Sequence, residues 1–303
     1  MDISSLQLFV DVVRRGSYAA VAKERGINPS IVSRGIASLE DDLKMRLFSR
    51  STRRLALTDA GRSYFESITG ILSQLNTARD LAMEHTGAVS GTVRLTASVG
   101  FGKNFIVPLL REFKELYPGI ALDLLLDDAN LDLVAENIDL ALRLGPPIRS
   151  GDFTIKRLMH TVYRVCATPE YLVREGRPEM PSSLSKCECV LIGLPGFNSM
   201  WKFKRNGHVE EVPVKGSLVV SQPFAARQCA EAGLGVALIA NWMCDSAIAD
   251  GTLADLFPGY DVTATTFDTG AWLVYPTRDQ LPQRTRAVIE FLTARIPGQR
   301  NAS

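Results

Sequence analysis

Several features are scarce in this chain, and each scarcity narrows what the protein can do. Among 303 residues there are three histidines, His85, His160 and His208, which lie far apart and have no metal-site spacing. A nucleophile elbow, a phosphate-binding loop and a full dinucleotide fingerprint are also missing. The residues therefore give little support to an enzyme, and we expect no catalytic residue, no metal and no cofactor.

Cysteines and long apolar runs are sparse as well. Five cysteines, an odd number, suit a reducing compartment better than a disulfide framework, and Cys187 and Cys189 lack the second pair of a metal site. The longest apolar run, residues 236–244, contains an asparagine and is far too short for a bilayer. Residues 1–5 lack the basic start and apolar core of a secretory signal. We expect a cytoplasmic protein with no membrane partner, which disfavours an exported solute receptor.

The formal net charge of the whole chain is only +1, but the charged residues are unevenly distributed. Residues 1–62 hold 11 Lys and Arg against 7 Asp and Glu, a net charge of +4. The remaining 241 residues hold 23 against 26, a net charge of −3. Residues 1–62 thus form a basic head, and the remaining residues form a mildly acidic body. This distribution indicates that the head binds a polyanion.

The head has the residue pattern of a helix-turn-helix. Ser17 and Asn28 are placed as N-caps, Gly26 ends the first helix, and Pro29 occupies the first turn of the second. The second helix has an apolar stripe of Val32, Ile36, Leu39 and Leu43. Its other side carries short polar side chains and one arginine, which suit the major groove of duplex DNA. The predicted base-reading residues are Asn28, Ser30, Ser33 and Arg34.

Further arginines follow the second helix. Five arginines are interleaved with the apolar residues Leu47, Phe48, Leu55 and Leu57: Arg46, Arg50, Arg53, Arg54 and Arg62. This pattern predicts a short β wing whose apolar side chains point inward and whose arginines contact phosphate, and the predicted phosphate contacts are Arg50, Arg53 and Arg54. A solvated basic surface would be the better explanation of the arginines alone, but the adjacent helix-turn-helix and the wing pattern favour DNA.

The head resembles the N-terminal domain of LysR-type transcriptional regulators. The stretches that carry the resemblance are Gly16-Ser17-Tyr18, Ala22, Val32-Ser33-Arg34, Leu39-Glu40, Leu47-Phe48, Arg50, Leu57-Thr58 and Ala60-Gly61. Two residues depart from the family's pattern. Gly35 replaces a long polar residue after the arginine, which removes a candidate base contact. Lys44 replaces the glycine at the helix end, so we expect either positive φ at Lys44 or a different turn.

A long helix is predicted for residues 59–86, which leaves residues 1–58 as the winged helix-turn-helix domain. Its apolar residues have coiled-coil spacing: Tyr64, Ile68, Ile71, Leu75, Ala78 and Ala82. An amphipathic helix packed on its own chain is the alternative. The resemblance implies that these linker helices pair in dimers or tetramers, whose heads bind an imperfect dyad operator in double-stranded DNA. For such a regulator we also expect contact with RNA polymerase.

Residues 87–303 predict an α/β body, because strand and helix patterns alternate along them. We expect lobe I to comprise about 92–162 and 268–296, and lobe II about 163–267. The body resembles the effector-binding domain of the same regulators, similar in fold to type 2 periplasmic binding proteins. The resemblance is carried by residues 139–143, 167–172, 232–237 and 274–276. Where many members have proline after an apolar strand, this chain has Asn241-Trp242, which alters one cleft-facing loop.

A cleft between two lobes usually binds a small ligand. Strand-to-helix junctions there have unpaired N–H groups, and Arg143 can pair with a carboxylate, so we predict an organic anion as the effector. The predicted contacts are Ser98, Gly100, Phe101, Arg143, Phe197, Trp201, Ser221 and Gln222. Alternatives stay open: the serines as helix caps, the arginine as a structural ion-pair partner, and the aromatic residues as core.

Together these patterns predict a cytoplasmic, sequence-specific transcriptional regulator of LysR type, controlled by a small-molecule effector. The alternative is a small-molecule-binding protein or enzyme with an autoregulatory DNA-binding head.

Overall fold

The computed structural model describes residues 2–49, 55–84, 89–129, 131–133, 136–146, 153–194, 196–277 and 281–296. The chain begins with a helical head and a long helix. These helices are α1 (Ile3–Arg15), α2 (Tyr18–Arg25), α3 (Pro29–Leu43) and α4 (Asp59–Glu84). Phe48 and Leu57 form an isolated antiparallel bridge at the base of the predicted wing.

The core of the head forms where the apolar stripes of its helices meet. Phe9 of α1, Val32 and Leu39 of α3, and Leu47 after it are fully buried. The ring of Phe9 packs edge-on against Phe48, with ring centroids 5.6 Å apart. The stripe of Val32, Ile36 and Leu39 on α3 therefore faces inward, which leaves the opposite side of this helix to solvent.

The apolar residues of α4 divide between two directions rather than forming one seam. Ile68 and Leu72 are buried in the core of the head, so the start of the helix packs on its own chain. Ile71 and Leu75 remain 57% and 43% exposed. One residue of the predicted coiled-coil seam, Ile68, is therefore already buried against the head of its own chain.

The body consists of short strands and helices in alternation. The strands are β1 (Gly91–Ala97), β2 (Ile120–Leu126), β3 (Leu140–Gly145), β4 (Phe153–His160), β5 (Tyr163–Ala167), β6 (Cys189–Ile192), β7 (Met200–Arg205), β8 (His208–Pro213), β9 (Leu218–Val220), β10 (Val236–Ala240), β11 (Ala254–Asp255), β12 (Asp261–Thr263) and β13 (Gly270–Pro276). The helices are α5 (Val99–Phe101), α6 (Leu110–Leu116), α7 (Pro169–Glu175), α8 (Pro223–Glu231), α9 (Asn241–Ala249) and α10 (Gln283–Arg295). A π-helical turn, Gly102–Ile106, and 3-10 turns, Val107–Leu109 and Pro181–Lys186, complete the helical segments.

Two sheets define two lobes, which confirms the predicted two-lobed α/β class. The sheet of lobe I has the order β2-β1-β3-β13-β4, with β1 parallel to β2 and β3 and with β13 antiparallel to both of its neighbours. The sheet of lobe II has the order β8-β7-β12-β5-β10-β6-β9, and β11 pairs with β5. Both sheets contain parallel and antiparallel pairs. After the crossings between the lobes, β5 runs antiparallel to β10, and β13 runs antiparallel to β3 and β4.

The lobes meet where the chain crosses between them, after β4 and again before β13. The two crossings are hydrogen-bonded to each other: the Thr161 amide donates to the Thr269 carbonyl at 3.1 Å, and Thr269 Oγ1 donates to the Thr161 carbonyl at 2.7 Å. Both threonines are buried. This paired crossing places the ends of β1, β3, β6 and β10 around one space between the lobes. Within the described ranges, no helix combines the length and apolar character needed to span a bilayer.

Candidate functional site

Helix α3 presents a polar face to solvent. The polar residues exposed on its first turns and at its cap are Asn28, Ser30, Ser33 and Arg34. Asn28 Oδ1 accepts a hydrogen bond from the Ser30 amide at 3.0 Å and so caps the helix. Arg34 Nε donates to the Ser30 carbonyl at 3.2 Å, which holds the guanidinium along this face. Short polar side chains and one arginine at the start of an exposed helix are suited to a major groove.

Backbone geometry around α3 shows the effect of both departures from the family pattern. Lys44 ends α3 with a φ of 54°, in the left-handed region, so the strained alternative is the one that occurs. A Cβ at Gly35 would lie 3.0 Å from Leu8 Cδ1 in α1. Gly35 therefore lies close to another helix of the head, and the expected loss of a base contact there stays a prediction.

A buried carboxylate joins α3 to the wing. Glu40 is 7% exposed, and its Oε1 accepts hydrogen bonds from the amides of Leu47 at 2.8 Å and Phe48 at 3.1 Å. Its Oε2 pairs with Arg46 Nη1 at 2.6 Å. Burial acts to raise the pKa of Glu40, but the hydrogen bonds from Arg46 and the two amides outweigh it, so the pKa lies below its ordinary value. Arg46 thus anchors the start of the wing.

Thr58 fixes the other end of the wing. Its Oγ1 donates to the Arg46 carbonyl at 2.7 Å and accepts from the Gly61 amide at 2.9 Å, which caps α4. A Cβ at Gly61 would collide with the Leu47 carbonyl, so glycine is required where α4 meets the wing. The three predicted phosphate contacts, Arg50, Arg53 and Arg54, lie outside the described residues.

A cavity of about 240 Å³ lies between the two lobes. The predicted ligand residues that line it are Ser98, Gly100, Arg143, Phe197 and Gln222. They come from the ends of β1 and β3 in lobe I and from the segments after β6 and before α8 in lobe II. The fold therefore brings five of the eight predicted contacts to one space, although up to 124 positions separate them in the sequence.

The other three predicted contacts do not line this cavity. Phe101 and Trp201 are each 1% exposed and belong to the cores of lobe I and lobe II respectively. Large aromatic surfaces gain most from complete burial, so the open alternative of core residues applies to both. Ser221 is exposed and precedes Gln222, which is the actual N-cap residue of α8.

The structural alternatives were a helix cap for Ser98 and an ion-pair partner for Arg143, and neither accounts for its residue. Ser98 is the N-cap residue of α5, yet its side chain makes no capping hydrogen bond. Arg143 donates to the carbonyls of Ala129 at 3.2 Å and Leu131 at 2.7 Å, and no ion pair within the described ranges includes it. Burial lowers the pKa of Arg143, and the charge of Asp127 opposes this shift. A half-buried guanidinium thus lies at the cavity with uncharged hydrogen-bond partners.

The wall of the cavity also contains polar residues that sequence reasoning missed. Asp127, Asp128, Thr161 and Thr265 line it, as does Trp242. Single acidic or hydroxyl residues carry no sequence signal of their own. Trp242 did have one, because it follows the asparagine that replaces the family's proline.

A wider trough of about 910 Å³ lies near the crossing into β5, lined in part by Arg164, Arg205 and Asp245. Arg164 is already paired there with Asp245 at 3.5 Å and Asp255 at 3.6 Å. None of the buried, unpartnered polar atoms of the described residues belongs to a lining residue of this trough. The smaller interlobe cavity is therefore the better candidate for a ligand site, despite its size.

Comparison with known proteins gives a family for both parts of the chain. Residues 3–62 match the model of the bacterial regulatory helix-turn-helix proteins of the lysR family, and residues 86–297 match the LysR substrate binding domain. The probable HTH-type transcriptional regulator LtrA of Klebsiella pneumoniae is 30% identical over 97% of this chain and 95% of its own length. The HTH-type transcriptional regulator DmlR of Escherichia coli K12 is 31% identical over 96% of this chain and 93% of its own.

A solved structure shows the same architecture at full length. The Vibrio cholerae virulence activator AphB, a member of the LTTR protein family, aligns with a TM-score of 0.64 and 25% identity. The alignment covers 98% of this chain and 100% of that one. The matched families and relatives are regulators, which removes the alternative of an enzyme with a DNA-binding head. The chain belongs to the LysR family and is a DNA-binding transcriptional regulator under small-molecule control.

Proposed function

We propose that this regulator binds a small organic anion in the interlobe cavity and that occupancy changes how its heads bind DNA. The observation that carries the proposal is Arg143, a half-buried positive charge at the cavity wall whose described partners are uncharged carbonyls. A bound carboxylate would pair with this guanidinium directly, whereas Asp127 acts on it through its charge without an ion pair. Charge-assisted hydrogen bonds of this kind are stronger than neutral ones.

For DNA, we propose that Asn28, Ser30, Ser33 and Arg34 face the bases of an imperfect dyad operator. The wing arginines, Arg50, Arg53 and Arg54, would contact phosphate. The exposed face of α3 supports the first assignment, and the net charge of +4 on residues 1–62 supports the second. RNA polymerase is a further proposed partner, in the cytoplasm.

We further propose that α4 joins two copies of the chain into a dimer or, with contacts between bodies, a tetramer. Ile71 and Leu75 are large apolar side chains with 57% and 43% of their surface exposed on a helix of 26 residues. Such a helix is about 39 Å long at ~1.5 Å per residue, longer than the head alone can cover. Paired heads would read two half-sites of the dyad.

The head and lobe I touch at a contact that can link ligand to DNA. With the Asn137 amide turned to offer its oxygen, Arg14 of α1 donates to it at 3.0 and 3.2 Å. Asn137 lies in the connection from β2 to β3, whose Ala129 and Leu131 carbonyls are held by Arg143. A ligand that draws Arg143 away from these carbonyls would release this connection and shift its contact with the head.

Fluorescence anisotropy on the DNA upstream of its own gene tests the proposal. Wild-type protein should bind this duplex in preference to scrambled DNA, with a steep salt dependence. Arg34→Ala should reduce this preference by about 1–3 kcal/mol, whereas Arg53→Ala should weaken binding to all duplexes and flatten the salt slope by about one. A change of sequence preference in Arg53→Ala would contradict its assignment to phosphate.

A screen of small organic anions in the same assay tests the ligand site. An active anion should change the affinity for the operator. Arg143→Met should abolish the response to the anion, and because it also frees the Ala129 and Leu131 carbonyls, its DNA binding without ligand should match that of ligand-bound wild type. Asn137→Ala should keep ligand binding but uncouple it from DNA affinity. If no anion changes operator binding, or Arg143→Met responds as wild type does, the ligand assignment fails.

A further inference from the structure

Polar atoms without partners are concentrated around the interlobe cavity. Four of its lining residues each have a buried side-chain atom with no hydrogen-bond partner among the described residues: Ser98 Oγ, Thr161 Oγ1, Thr265 Oγ1 and Trp242 Nε1. Thr161 is 5% exposed. Burial removes these groups from water without replacing its hydrogen bonds, which destabilises the folded chain. These four atoms themselves have almost no accessible surface, so a bound molecule that reached them by a small shift of the cavity wall would supply the missing partners.

Trp242 is the most restrictive member of this group. It belongs to α9 of lobe II, yet its ring packs edge-on against Phe101 at 5.7 Å and Phe105 at 5.6 Å, both from lobe I. A Cβ at Gly100 would lie 3.7 Å from its Cη2 atom. The indole N–H can donate but cannot accept, so the ligand has to offer an acceptor to it. Trp242 therefore lies at the cavity while touching both lobes.

The charges on the wall limit the ligand to one carboxylate. Arg143 is the cation that lines the cavity in the described part of the chain, and Asp127 and Asp128 are the anions. One oxygen of each aspartate accepts a backbone N–H, from Ala129 at 2.9 Å and from Val99 at 3.0 Å. One guanidinium can neutralise one carboxylate, whereas a second carboxylate would meet two like charges. The remaining aspartate oxygens can accept hydrogen bonds from donors of a ligand.

Size and hydrogen-bonding capacity narrow the class further. The cavity of about 240 Å³ is smaller than the ~300–1,000 Å³ that holds drug-sized ligands. Unpartnered hydroxyls on the wall can both donate and accept, so they match hydroxyl groups of a ligand. A few carbon atoms bearing hydroxyls and one carboxylate satisfy all of these requirements.

Resting on the proposed function of the cavity, we propose that the effector is a small hydroxylated monocarboxylate and that Trp242 determines this specificity. Its carboxylate accepts hydrogen bonds from Arg143 and Trp242. Its hydroxyl groups pair with the remaining polar side chains of the wall: Ser98, Thr161, Thr265, Asp127 and Asp128.

Isothermal titration calorimetry on the full-length protein tests the class with four probes. Glycerate has both required groups, propionate lacks the hydroxyls, glycerol lacks the carboxylate, and malate adds a second carboxylate. Glycerate should bind at least about tenfold more tightly than each of the other three, because unmatched polar groups in a closed site are penalised. Equal or tighter binding of propionate, glycerol or malate, or no binding of glycerate, would overturn the proposed class.

Trp242→Phe tests the residue, since it keeps a ring against Phe101 and Phe105 but removes the N–H. It should weaken glycerate binding about tenfold, equivalent to about 1.4 kcal/mol, with the melting temperature checked in parallel. Tyr171→Phe is the matched control, since it also removes one hydrogen-bond donor from a ring. The Tyr171 O–H donates to the Glu188 carbonyl at 3.3 Å and neither residue lines the cavity, so this variant should retain wild-type affinity. Unchanged binding in Trp242→Phe, or an equal loss in the control, overturns the role of Trp242.

Failure here remains distinct from failure of the proposed function. If another organic anion alters operator binding and Arg143→Met abolishes its effect, the cavity is the effector site and the hydroxylated monocarboxylate is the wrong class. If no anion acts through Arg143, both proposals fall.

Discussion

The base of the wing and the interlobe cavity differ in whether their buried polar groups have hydrogen-bond partners. In the head, Glu40 accepts from two amides and one guanidinium, and Thr58 both donates and accepts. In the cavity wall, Thr161 and Trp242 have side-chain atoms with no partner among the described residues. A fully paired network holds one conformation, whereas an unpaired one is completed by a ligand. The paired groups hold the head in one conformation for binding DNA. The unpaired groups allow the cavity to change when a ligand binds.

The largest effect that this comparison predicts is at Glu40. Glu40→Ala leaves the buried amides of Leu47 and Phe48 without an acceptor and frees Arg46, so we expect the head to lose about 2–4 kcal/mol. Urea unfolding followed by circular dichroism measures the loss. Glu40→Gln is the control, because its side-chain oxygen can still accept from both amides. If Glu40→Ala cost no more than Glu40→Gln, the wing would not depend on this network.

The same carboxylate predicts a pH dependence of the head. The pKa of Glu40 is lower in the folded chain than in the unfolded one, because its hydrogen bonds outweigh the opposing effect of burial. Its contribution to stability is therefore complete above the unfolded pKa, about 4.3, and is lost as the pH falls through the lower folded value. Urea midpoints from pH 7 to pH 3 should fall more steeply for wild type than for Glu40→Gln. Parallel curves would contradict the assignment.

Replacing threonine by valine should have opposite effects on stability at the base of the wing and in the interlobe cavity. Thr58→Val removes a hydroxyl with two hydrogen bonds and a helix cap, so it should destabilise the chain by about 1–2 kcal/mol. Thr161→Val removes a hydroxyl with no partner, so it should be neutral or stabilising by up to about 1 kcal/mol. Thermal unfolding without ligand measures both. A loss of stability in Thr161→Val equal to that in Thr58→Val would mean that the two regions do not differ as described.

The smallest effect concerns the backbone of the head. Lys44 has a φ of 54°, a conformation that costs a non-glycine residue about 1 kcal/mol. Lys44→Gly should therefore stabilise the head, by less than that amount because glycine is also more flexible when unfolded. The urea midpoint reports the change, and Lys44→Ala, which keeps the strain, is the matched control. Equal midpoints for the two variants would argue against strain at this position.

Local features of the head were predictable because neighbours in the sequence decide them. Ser17 and Asn28 cap their helices, and Gly26 and Lys44 adopt positive φ at the helix ends. The buried stripe of α3 follows from its spacing alone. The surroundings of Gly35 depend instead on how closely α1 approaches, which its neighbours in the sequence do not decide.

The ligand cavity was predictable in part. Junctions after strands indicated Ser98, Gly100 and Gln222, and these residues do line the cavity, because the ends of strands meet at one edge of a sheet. Their contact with an effector stays a prediction. Phe101 and Trp201 were placed at the ligand, but the packing of each lobe took them into its core. An aromatic side chain near a cleft can turn either way, and distant residues determine which.

The sequence by itself determined the helix-turn-helix, its caps, its exposed polar face, the α/β class of the body and the family, because each rests on spacing or on short motifs. Tertiary structure alone decided that Thr161, Thr265 and Trp242 share one wall, that Glu40 holds the wing, and that Arg14 reaches Asn137. These contacts join segments distant in the chain, and their energies arise from the burial and pairing of polar groups that only the folded arrangement brings together.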